Sequence, residues 1–169
     1  GNAAGLANGV APVVDELETA GKATPTLVVF ATYYPDRSFV TEDYEDDYAL
    51  NRFFATTEID TLIEAVESHY TTYARGDTSD ESLRASRRHR AFGGFSMGAT
   101  TTWDVFALRP QYFYGYMPMA GESWIGREED ADEERIGQLV TDGALRAGYG
   151  PSDFRILASV GSEDPALWD

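Results

Sequence analysis

Arg90-Ala91-Phe92-Gly93-Gly94-Phe95-Ser96-Met97-Gly98-Ala99 is the stretch on which the fold turns. An extended run leads into Gly94-Phe95-Ser96-Met97-Gly98, and a helix-like run to Leu108 follows, so the pentapeptide reads as a Gly-x-Ser-x-Gly nucleophile elbow. The glycines suit a sharp, strained strand-to-helix turn on which a Cβ at either flank is expected to collide with neighbouring backbone. Such a turn pushes the Ser96 hydroxyl into solvent. It also aims the first backbone N–H groups of the next helix, Met97 among them, at the place where a tetrahedral intermediate carries negative charge. The chemistry implied is acyl transfer.

Working outward, strands and helices alternate. Val10, Val13, Val14 and Leu17 recur at helical spacing from Leu6 to Ala20, and Gly21-Lys22 closes that helix. Thr26 to Thr32 is a continuous apolar and β-branched run ending at Tyr33-Tyr34-Pro35, the pattern of a strand buried on both faces. Residues 36–52 are acidic and tyrosine-rich without a period, which predicts a functional loop. Ile59, Leu62, Ile63, Val66 and Tyr70 then predict an amphipathic helix, capped by Thr56 or Thr57 and reaching Tyr73. Gly76 to Ser86 reads as a polar connection. After the elbow helix, stopped by Arg109-Pro110, a buried strand is expected over Tyr112 to Met119, a helix over Asp132 to Ala147 and a last strand over Arg155 to Gly161. This order implies an α/β fold with a doubly wound, mostly parallel sheet and helices on both faces.

The 169 residues are 43% hydrophobic, enough for one sizeable core, so a single domain over 1–169 is expected. Lys and Arg total 13 against 29 Asp and Glu, and the net charge of −16 argues against nucleic acid and anionic membranes as partners. The acidic residues, as in Asp43 to Asp47 and Glu128 to Glu134, read as a solvated surface rather than a metal cage. Zero cysteines exclude disulfides, zinc thiolates and a cysteine nucleophile. No metal or cofactor is called for, no apolar run approaches a membrane span, and no basic-then-apolar leader opens the chain.

In an open parallel sheet the working groups gather at the carboxyl ends of the strands. Those ends carry Tyr33-Tyr34, Ser96, Gly121-Glu122-Ser123-Trp124 and Asp164: a nucleophile, a possible acid and an aromatic binding surface. A serine nucleophile also needs a histidine base steered by a carboxylate. Only His69 and His89 exist. His89 precedes Ser96 on one extended segment and falls on the order of 20 Å away at about 3.3 Å per residue. His69 ends a crossover helix, which delivers it to the same remote edge. Both read as structural. Triads on such sheets run Ser, acid, His, so the base is expected after Asp164, where the chain has five residues left.

Gly93 to Ala99, preceded by Glu67-Ser68-His69-Tyr70 and Arg87-Arg88-His89-Arg90, resembles the esterase-D-like feruloyl and acetylxylan esterases of the first carbohydrate-esterase family, which have the α/β-hydrolase fold. Gly21-Lys22-Ala23-Thr24-Pro25, Met117 to Trp124 and Gly161-Ser162-Glu163-Asp164 resemble further motifs of that family, so the likeness spans nearly the whole chain. The resemblance implies a secreted serine carboxylesterase that cleaves hydroxycinnamoyl or acetyl esters of plant cell-wall polysaccharide through an acyl-enzyme. By position it makes Ser96 the nucleophile, the Met97 N–H an oxyanion donor and Asp164 the triad acid, with Glu122 the competing acid. Trp124 would lie near the aromatic acyl group, with Tyr33, Tyr34 and Glu122 beside the substrate. The family's His-Gly-Gly loop, with the second oxyanion donor, and its histidine loop are expected before Gly1 and after Asp169. Supply of those pieces by a second chain, and so a homo-oligomer, stays open. The rivals are a glutathione-thioester hydrolase, a siderophore esterase, a mycolyl-type acyltransferase, or a non-catalytic carbohydrate-binding relative that keeps the elbow as packing.

Overall fold

A computed structural model describes residues 3–32 and 44–164. The chain divides into two compact units, Gly1–Val40 and Thr41–Asp169. In the first, helix α1 (Ala3–Thr19) is the helix expected over Leu6 to Ala20. Gly21, at φ +68°, ends it, and the Lys22 N–H donates to the Leu17 carbonyl at 2.8 Å. Residues 24–32 differ from expectation. They are assigned to no strand, and Leu27, Val28 and Val29 are 49%, 41% and 45% exposed. An apolar, β-branched run favours extended backbone, but burial on both faces also needs ladder partners, and sequence pattern carries no information about those.

The second unit is built on three parallel strands in the order β1 (Ala91–Phe95), β2 (Gly115–Met119) and β3 (Arg155–Ile156). Gly93 pairs with Met117, Phe95 with Met119 and Tyr116 with Ile156, and a bridge from Met119 to Ser159 continues the ladder. Helix α5 (Met97–Leu108) crosses one face of this sheet. There Phe106 meets Tyr116 and Phe154 edge-on, both with ring centroids at 4.9 Å. Such offset geometry adds to the area that the rings bury. Phe95 and Met117, on the other face, are 69% and 43% exposed. Helix α6 (Glu133–Arg146) packs on α5 and begins where sequence places it, with the Asp132 carboxylate accepting from the Arg135 N–H.

Two stretches expected to be irregular are helical. Helix α2 (Tyr44–Phe53) occupies part of the expected loop, whose residues 36–43 otherwise lie outside the described residues. Its buried positions are Asp47 and Asn51, four apart, so the inward stripe is polar and leaves no apolar period to detect. A π-helical turn (Phe54–Glu58) joins α2 to α3 (Ile59–His69) without a cap. The Thr56 hydroxyl donates instead to the Arg52 carbonyl at 2.8 Å, the bond a threonine makes inside a helix. Helix α3 ends at His69, short of Tyr73. Within the expected connection, α4 (Asp80–Ala85) starts at Ser79, whose hydroxyl accepts from the Ser82 N–H, and it buries Leu83.

Candidate active site

Ser96 follows β1 and precedes α5, and it sits at φ 55°, ψ −118°. For a residue with a Cβ this backbone is costly, about 1–3 kcal/mol, and it persists only where surrounding structure imposes it. The constraints are visible. The Ser96 N–H donates to the Met119 carbonyl at 2.9 Å, and its own carbonyl accepts from the Ala99 and Thr100 N–H groups at 2.7 and 3.3 Å. The residue is exposed. Since α5 begins at Met97, the Met97 N–H belongs to the first turn, where a helix has no acceptors of its own and its dipole favours negative charge.

The glycines play unequal parts. A Cβ on Gly94 would lie 2.5 Å from the backbone of Gly98, so position 94 must be bare for strand and helix to approach. A Cβ on Gly98 would meet nothing within 4 Å, which corrects the expectation that both flanks are crowded. The elbow is crowded from outside the pentapeptide by Gly121, where a Cβ would come within 2.5 Å of the Ser96 carbonyl oxygen. Ala120 precedes it at φ 49°, and the Ala120 N–H donates to the Ser159 carbonyl at 2.8 Å. The bend after β2 thus braces the elbow. Trp103, on the second turn of α5, holds that bend by donating its indole N–H to the Gly121 carbonyl at 3.3 Å. Trp103 is not among the residues that the sequence singles out, because its partner lies 18 residues away on another element.

Glu122, Trp124 and Asp164 follow the carboxyl ends of β2 and of the ladder through Ser159, strands that run parallel to β1. Asp164 is partly buried in the turn beyond Ser159, with its N–H bonded to the Gly161 carbonyl at 3.0 Å. Glu122 is exposed and accepts from the Trp124 indole N–H at 3.2 Å, while the Arg127 guanidinium stands 5.0 Å over the Trp124 ring. Trp124 therefore has one face engaged. Beside it opens a cleft of ≈ 330 Å³ lined by Trp103, Pro118, Gly121, Glu122, Ala158 and Val160. Tyr33 and Tyr34 lie outside the described residues.

Both histidines lie away from this edge, as expected. His89 precedes β1 and stacks on Tyr73 with ring centroids 3.4 Å apart and planes 4° off parallel. The His69 Nδ1 lies 2.7 Å from the Ala65 carbonyl oxygen. The end of α3 is tied to the amino end of β1 by the pair of Glu67 and Arg90 at 2.5 Å. Among the described residues no group of three or more His, Cys, Asp or Glu could hold a metal ion, and no helix is long and apolar enough to cross a membrane.

No family model matches the chain. Over 151 residues, 89% of its length, it is 29% identical to endo-1,4-beta-xylanase Y of Acetivibrio thermocellus, of which the match covers 12%. Two solved structures share the fold. One, labelled FAE, is 32% identical with a TM-score of 0.57 and is matched over 70% of this chain and 38% of its own. The other is a serine-to-alanine variant of the feruloyl esterase module from Clostridium thermocellum complexed with sinapinate, 31% identical with a TM-score of 0.56 over the same shares. The chain spans well under half the length of these relatives. In sequence and in fold it is similar to feruloyl esterase modules, the likeness that its elbow and strand-end motifs imply.

Proposed function

We propose that the protein is a secreted serine carboxylesterase acting on hydroxycinnamoyl or acetyl esters of plant cell-wall polysaccharide. The observation that carries this reading is Ser96, exposed at φ 55° on the turn from β1 into α5, in a chain similar over 70% of its length, at 31–32% identity, to feruloyl esterase structures. The Ser96 Oγ attacks the ester carbonyl, the Met97 N–H stabilises the oxyanion, and the alcohol leaves as an acyl-enzyme forms. Water then releases the acid. Asp164 is the carboxylate that orients the base, and Glu122 and Trp124, with Tyr33 and Tyr34, contact the substrate. Because His69 and His89 both stand at the other edge, the base is neither of them. The cleft beside Gly121 supports the reading by offering an apolar wall for a planar acyl group.

Ser96→Ala tests the assignment. In the full-length protein, turnover of a soluble feruloyl or acetyl ester should fall by about 10³-fold or more, with substrate binding kept. A fluorophosphonate should label the wild type at Ser96 and leave the variant unlabelled. Near-normal turnover by the variant would end the proposal.

A further inference from the structure

We propose that the amino-end edge of the sheet, opposite Ser96, carries a second binding surface, for the carboxylate-bearing sugars of an acidic polysaccharide. Three guanidinium groups surround the ring of Tyr114: Arg87 at 5.8 Å, Arg88 at 4.9 Å and Arg155 at 5.6 Å from its centroid. Arg87 is buried and already committed, donating to the carbonyls of Pro110, Phe113 and Asp153. Arg88 and Arg155 are exposed, and among the described residues neither pairs with a carboxylate. What sets Arg88 and Arg155 apart is that one ring gathers both of them, exposed, so the two cations can meet one anion together. Arg84, Arg90, Arg109, Arg135 and Arg146 are each paired with a carboxylate, so they are less free to take an outside anion.

The ring holds both guanidinium groups, so less side-chain freedom is lost when they bind. Their forked donors fit a carboxylate, singly or as a bidentate pair. The net charge of −16 does not forbid an anion here, because screening at physiological salt limits each charge to about 8 Å. The same edge displays the Tyr73 and His89 stack, with Tyr73 63% exposed and His89 next to Arg88 in the chain. A pyranose ring can lay its C–H face on such a flat aromatic while its carboxylate meets the guanidinium pair. The choice of a polysaccharide rests on the proposed esterase reading. A polymer bound here would be gripped on the order of 20 Å from the ester under attack, the distance set by β1.

The test compares migration of the protein through gels holding glucuronoxylan and through gels holding the same polymer with its carboxyl groups reduced to alcohols. Wild type should be retarded by the first about tenfold more strongly than by the second, and about 0.3 M NaCl should remove the difference. The double variant Arg88→Gln, Arg155→Gln should lose the preference, Arg88→Lys, Arg155→Lys should keep part of it, and Tyr73→Ala should weaken binding to both polymers. Equal retardation of wild type by both polymers, or an unchanged preference in the glutamine double variant, overturns the surface. So does binding to polyglutamate without binding to glucuronoxylan, which assigns it to an acidic protein. Hydrolysis of a small soluble ester, read on the same samples, should be unchanged in the glutamine double variant. Its absence in wild type, with polymer preference intact, would strike the esterase reading and leave this surface standing.

Discussion

Asp104 lies on α5 at 0% exposure, and neither carboxylate oxygen has a hydrogen-bond partner among the described residues. Nearby, the Thr101 hydroxyl donates to Asn51 Oδ1, and Asn51 Nδ2 is also without a partner. Burial pushes the Asp104 carboxyl up to about 6, against a smaller opposing pull from the Arg52 charge. Folding therefore favours its protonated form. Below the unfolded value of about 3.9 both states hold the proton and the site costs nothing electrostatically. As pH rises through about 6 the buried group must ionise, and roughly 3 kcal/mol of stability is lost. Asp104→Asn should thus stabilise the protein by about 2–3 kcal/mol at pH 8 and by almost nothing at pH 4, read from urea unfolding at both values. An equal effect at the two pH values would mean that Asp104 is not a buried acid titrating near neutrality.

At the scale of elements, the elbow makes a paired prediction. Gly94→Ala places a methyl group 2.5 Å from backbone that no rotamer can move, so β1 and α5 must separate. A loss of about 3 kcal/mol or more is expected, or failure to fold. Gly98→Ala meets open space inside a helix, where alanine is favoured by about 1 kcal/mol. Its thermal midpoint should hold or rise, and a fall to match Gly94→Ala would contradict the packing described. The elbow was legible because its cause is local: a pentapeptide between an extended run and a helical one. Helix α6 was legible for the same reason, through Asp132 and the glycines beyond it. Helix α2 was hidden because Asp47 and Asn51 occupy its inward face, and periodicity registers only apolar burial. The brace of Trp103 on Gly121 is a contact between elements 18 residues apart, and no local pattern encodes it. Residues 24–32 show the reverse error, a strand-like pattern in a segment that joins no sheet and leaves Leu27, Val28 and Val29 exposed.

For the whole molecule, an excess of 16 negative charges sets the response to pH and salt. Self-repulsion opposes compaction and grows as carboxylates ionise. Its effect adds to that of Asp104, since both weaken the folded state as pH rises from about 4 toward neutrality. On the acid side other groups act in the opposite sense. The Ser79 N–H holds the Asp77 carboxyl below its ordinary value, and a hydrogen bond from Arg84 does the same for Asp80. Groups shifted down stabilise the fold above their unfolded values and lose that contribution as pH falls through the folded ones. Stability should therefore peak on the acid side of neutrality, near about pH 5, where most surface carboxylates remain ionised and Asp104 is still protonated. Salt separates the two contributions. Near pH 8, raising NaCl from about 20 to 300 mM shortens the Debye length from roughly 20 Å to below 6 Å, which screens repulsion across the surface and leaves buried Asp104 untouched. The thermal midpoint should rise by several degrees in wild type and by a similar amount in Asp104→Asn. At pH 5 the same addition should change it less. A midpoint that falls with salt at pH 8 would mean that attractive pairs, such as Arg109 with Asp60 at 2.9 Å, outweigh the net charge.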